Sequence, residues 1–183
     1  MKNLFITLVF CLVCMVSNAQ LEVYTRYTLN GNAEPDINLY GEKKISEKVN
    51  MTYFALVEEK WSEALIGLSY SPVKCMSLGL STGIEHNPAI YRFAGSIWVG
   101  KGKNSLLILG EKGKGSDNYW YKSFLSRKLS ESLTAGIMAW RFHGIGPKCI
   151  FTPKKSDLSF WFLPTYDPEY KVKRLIFGVD VKI

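Results

Sequence analysis

The chain has 183 residues, with 23 Lys and Arg against 16 Asp and Glu, a formal charge of +7, and 47% hydrophobic and 14% aromatic residues. A single domain is expected at this length, and four cysteines are too few for a disulfide-built fold. Nucleic acid is excluded as a partner, because the basic residues form no single groove or helix and the chain opens on an export signal.

Met1 to Ala19 reads as a cleaved signal peptide. Lys2 supplies the basic start, Leu4 to Val16 the apolar run, and Ser17-Asn18-Ala19 the small residues before cleavage at Gln20. The thirteen residues of that run fall short of the roughly 20 that a membrane-spanning helix needs. Cys11 and Cys14 leave with it, and residues 20–183 form the one mature domain, at +6 once Lys2 is lost. Cys75 and Cys149 remain, without metal-type spacing, and two buried free thiols are expected.

From Gln20 onward, apolar and polar residues alternate between turn residues, which is the period of a strand. Strands are expected near residues 21–30, 36–45, 49–58, 61–70, 75–85, 91–101, 104–112, 118–128, 132–142, 147–153, 158–166 and 172–183. That gives twelve, with ten or fourteen allowed by the weak boundaries at Glu59-Lys60 and Lys103-Asn104. In the first, Leu21, Val23, Tyr27 and Leu29 oppose Glu22, Arg26 and Asn30. The pattern is cleanest where Met76, Leu78, Leu80, Thr82 and Ile84 oppose Ser77, Gly79, Ser81, Gly83 and Glu85. The last strand, Val172–Ile183, sets Leu175, Phe177, Val179 and Val181 against Arg174, Gly178 and Asp180.

So short a repeat of strand plus turn admits only hairpins, and hence an up-and-down antiparallel meander. The turns on the side of the termini are expected to be short, and the opposite connections, such as Gly31–Pro35, His86–Ile90 and His143–Gly146, mostly longer.

One apolar face suits a protein core as well as lipid, so the other face decides. Here it is small (Ser77, Gly79, Ser81, Gly83, Ala94, Ser96, Gly136) and broken by charges of both signs: Arg26, Glu63, Glu85, Arg92, Glu111, Arg174 and Asp180. Small residues and paired charges suit a crowded lumen. These seven are the expected channel-lumen residues. Aromatics toward strand ends, among them Tyr24, Trp61, Tyr70, Tyr91, Trp120, Trp140, Tyr166 and Tyr170, are expected to form interfacial girdles.

The signal ending Ser17-Asn18-Ala19-Gln20, the meander, and the closing Phe177-Gly178-Val179-Asp180-Val181-Lys182-Ile183 resemble the small outer-membrane β-barrel proteins of Gram-negative bacteria, the porin-like group. Such proteins commonly end on an aromatic residue, whereas this chain ends on Ile183. The resemblance implies an all-β transmembrane barrel in the cell outer membrane, placed there by the barrel-assembly machinery, surrounded by lipid and acting as a passive channel for small solutes or as a structural barrel.

No constellation calls for a cofactor, a metal or a catalytic residue. Gly95 to Lys101 has the spacing of a phosphate loop but lies inside an alternating strand and is followed by Gly102. His86 and His143 fall in connections opposite the termini. They are the basis for one alternative, a lipid-modifying hydrolase, but no serine is placed beside either. Another alternative is a soluble exported barrel whose apolar face turns inward on a hydrophobic ligand.

Overall fold

The computed structural model describes residues 18–28, 31, 33–86 and 91–183. The expected signal peptide, apart from Asn18 and Ala19, lies outside them, as do Leu29, Asn30 and the 87–90 stretch. Twelve strands follow in order: β1 (Asn18–Thr28), β2 (Ala33–Lys44), β3 (Val49–Glu58), β4 (Ser62–Val73), β5 (Met76–Glu85), β6 (Tyr91–Lys101), β7 (Asn104–Gly113), β8 (Tyr119–Lys128), β9 (Leu133–Trp140), β10 (Gly144–Phe151), β11 (Leu158–Asp167) and β12 (Val172–Lys182). Each pairs antiparallel with the next, and β12 returns to β1 through pairs from Gln20–Lys182 to Thr28–Arg174, closing the barrel. Closure leaves no strand without a neighbour on either side, as a membrane-spanning sheet requires.

Side-chain parity sorts the two faces. Leu80 is 77% exposed and Ile66, Leu68, Phe93, Leu125, Ile137 and Phe177 also point out, while Glu85 and Arg92, one residue from outward-facing neighbours, are buried inside. An outward apolar belt around a closed barrel is the arrangement of a transmembrane β-barrel, so the alternative with its apolar face turned inward is not this molecule.

Several expectations are corrected. The connections away from the termini, at 59–61 and 141–143 for instance, are as tight as the terminal-side turns at 45–48 and 129–132, so the expected difference in length is largely absent. β4 runs on to Val73 through a bulge between Tyr70 and Val73, which absorbs Ser71-Pro72 into the strand. β10 begins at Gly144, inside the expected 143–146 connection, because Gly144 adopts φ +102 and lets the chain turn straight into pairing with Trp140. Cys75 and Cys149 are free, as expected, but exposed. Cys75 sits in a turn, and Cys149 is on the outward parity of β10.

Candidate functional site: the barrel lumen

An apolar plug fills part of the lumen. Tyr24, Met138, Trp140, Trp161, Leu163 and Ile176, inward residues of β1, β9, β11 and β12, pack into one buried apolar cluster. The ring of Tyr24 lies 5.3 Å from Trp140 and 5.6 Å from Trp161. Gly178 makes room for this plug: a Cβ there would come within 2.2 Å of the Trp161 ring, its cross-strand partner. Beside the plug runs a cavity of about 910 Å³, walled in part by the small residues Ser77, Gly79, Ser81, Ala94 and Ser96.

Charge is gathered at the mouth away from the termini, around arginines. Arg92 Nε and Nη1 reach Glu63 at 2.9 Å, Glu85 at 2.8 Å and Glu111 at 2.6 Å, and Nη1 also donates to Asn118 Oδ1 at 3.0 Å. Trp61 caps this hub, its indole donating to Glu63 at 3.0 Å and its ring 5.5 Å beneath the guanidinium. The register explains the need for Arg92, because Glu63 and Glu85 are directly opposed across β4 and β5, where like charges repel. Arg26 forms a second hub, with two bonds to Asp36 at 2.9 and 3.1 Å, one to Glu58, and Glu34 at 3.5 Å. Two simpler pairs complete the rim, Arg174 to Asp167 at 2.9 Å and Arg141 to Asp117 at 2.6 Å.

Deeper in, an ion pair crosses the lumen. Lys122 of β8 lies 4.0 Å from Glu22 of β1, and Glu22 also accepts from Asn38 at 2.8 Å. Lys122 stands 4.2 Å over the Trp140 ring, and Lys148 stands 3.8 Å over Trp161. Asp180 accepts from the Trp161 indole at 3.3 Å. Each arginine hub holds three carboxylates to one guanidinium, so the wall around the open part is acidic in spite of the positive whole chain.

No protein-family model and no curated protein sequence matches this chain. Solved structures do. The KdgM porin superposes with a TM-score of 0.59 at 10% identity, covering 88% of this chain and 98% of that one. The KdgM porin in complex with disordered oligogalacturonate gives 0.60 at 8% identity, with 90% and 98% covered. The NanC porin gives 0.52 at 7% identity, with 88% and 98% covered. The barrel has a porin-like fold.

Of the seven residues expected in the lumen, the structure brings four together, Glu63, Glu85, Arg92 and Glu111. Arg26, Arg174 and Asp180 also point inward but belong to the separate contacts above. Missed in the sequence were Asp36, Glu58 and Asp167, which hold the other arginines, and the inner lysines Lys122 and Lys148. Four aromatics expected in the girdles, Tyr24, Trp61, Trp120 and Trp140, instead line the lumen, while Tyr70, Tyr91, Tyr121, Tyr166 and Tyr170 are exposed. No group of three metal-ligating residues occurs among the described residues.

His143 belongs to this interior too. It stacks on Trp140 at 3.7 Å with a 6° tilt, and its Nδ1 donates to the Arg141 carbonyl at 3.1 Å. Burial, reinforced by Arg26, drives its pKa well below the usual imidazole range and keeps the ring neutral. Its Nε2 has no partner, serine hydroxyl included, among the described residues, and His86 is exposed at the end of β5.

Proposed function

We propose that the protein is an outer-membrane channel for small solutes and that it prefers cations. The observation that carries this reading is the pair of arginine hubs, each with three carboxylates around one guanidinium, on the wall of the lumen. A low-dielectric pore with an excess of one sign raises the local concentration of the opposite sign. The porin fold supports passage through the barrel. The bound oligogalacturonate of one KdgM structure is a chain of sugar carboxylates, and this acidic wall would repel such a polymer. The export signal at residues 1–19, insertion by the barrel-assembly machinery and a lipid surround belong to the same reading. Arg26, Glu63, Glu85, Arg92, Glu111, Arg174 and Asp180 act in it as lumen residues that set ion preference. Insertion of the purified protein into planar bilayers should give discrete conductance steps. Bilayers that hold the protein and stay silent would overturn the channel and leave a structural barrel.

A further inference from the structure

The barrel wall has an unlatched seam between β10 and β11. β10 and β11 pair at Ile145–Tyr166 and again at Cys149–Phe162, with no bridge between them. Continuing the register sets Pro147 opposite Pro164. Hydrogen-bonded pairs recur at every second residue of an antiparallel ladder, and proline has no N–H, so this pair lacks both of its bonds. The strands still touch, since a Cβ on Gly146 would lie 1.8 Å from the Pro164 carbonyl oxygen. The seam is therefore closed by packing alone, with two carbonyls deprived of ladder donors in the hydrocarbon, where such a loss is costly.

Directly behind Pro147, Lys148 points into the lumen. It is 5% exposed, its ammonium sits over aromatic rings, and among the described residues no carboxylate comes within 4.0 Å of it. Glu22 and Asp180 act on it only from beyond ion-pair contact, and a buried ammonium in that position gains from a direct anion. The cavity that Lys148 faces is also lined by the apolar side chains of Leu107, its cross-strand partner Phe124, and Ile150.

We propose that the β10–β11 seam is a lateral entrance from the membrane through which a single-chain amphiphile with a carboxylate head binds, its head on Lys148 and its tail along Leu107, Phe124 and Ile150. This site shares the cavity with the arginine hubs but uses other side chains, and its occupancy does not depend on conduction.

The test uses the full barrel in lipid nanodiscs and cis-parinaric acid, whose fluorescence is excited by energy transfer from tryptophan. Wild type should capture the acid in preference to its methyl ester, and Lys148→Met should abolish that preference. Cys149 and residue 162 are a bonded pair with Cα atoms about 5.5 Å apart, within disulfide reach. Phe162→Cys, with Cys75 replaced by serine, therefore locks the seam on oxidation. Capture should slow about tenfold or more, and reductant should restore it. Pro147→Val with Pro164→Val needs no crosslink: two restored backbone bonds should make opening roughly tenfold to thirtyfold rarer. No binding to wild type, or capture at the same rate with the seam locked or relatched, overturns the entrance. Equal binding of acid and ester overturns the role of Lys148. Conductance should be unaffected by either seam variant, so failure here and failure of the channel are separately visible.

Discussion

Replacing Arg92 by methionine should be the most damaging single change in the lumen. The guanidinium side chain is 4% exposed and contacts three carboxylates at 2.6 to 2.9 Å, of which the Glu85 side chain is fully buried. Methionine fills much of the volume, so the cost is electrostatic: among the described residues, three clustered carboxylates keep only the Trp61 indole and the Asn118 amide as donors. Breaking a buried ion pair by removing one partner costs about 3–5 kcal/mol, which lowers the folded-to-unfolded ratio by roughly a hundredfold to several thousandfold. Urea titration in lipid vesicles, read by the mobility shift of unheated samples on gels, measures it. Adding Glu63→Gln and Glu111→Gln to Arg92→Met should recover at least half of the loss, because the amides no longer repel. A loss below about 1 kcal/mol for Arg92→Met alone, the size of an exposed pair, would refute the hub as described.

Three further outcomes follow from the same geometry. Gly178→Val drives a side chain into the Trp161 ring and should cost about 1–3 kcal/mol, with a changed near-ultraviolet dichroism as the plug repacks. Leu80→Arg, on the outward face, should cost about 2–4 kcal/mol in lipid, whereas a water-facing position would tolerate it within about 0.5 kcal/mol. Burial holds the His143 pKa down in the folded state, so the unfolded chain binds the extra proton first. Stability should therefore be full above about pH 6.5 and fall as the pH drops below it. His143→Phe, which keeps the stack on Trp140, should remove that part of the slope in urea midpoints measured against pH.

The strand count and the outward face were legible because alternation is strict where lipid and lumen differ most, as from Met76 to Glu85. The plug was not. On β9 both faces are apolar or small, with Thr134, Gly136, Met138 and Trp140 inward and Leu133, Ala135, Ile137 and Ala139 outward, so periodicity could not place Trp140 inside. Aromatics near strand ends fit a headgroup girdle and a lumen equally well, which is why Tyr24 and Trp61 were misplaced. The individual charges could be read from parity, but the hubs could not. Asp36 joins Arg26, and Glu85 needs Arg92, only once the register sets Asp36 against Glu58 and Glu63 against Glu85. β10 was shortened by reading His143 to Gly146 as a connection and starting the strand at Pro147, which instead stands inside it at the unlatched pair.

The acidic wall of the lumen is tested most directly by the reversal potential of the reconstituted protein in a KCl gradient. It should take the sign of a cation-preferring pore and move toward zero with Glu63→Gln and Glu111→Gln together, because those carboxylates supply the excess charge around Arg92. A reversal potential of the opposite sign, or one that the double change leaves unmoved, would contradict it.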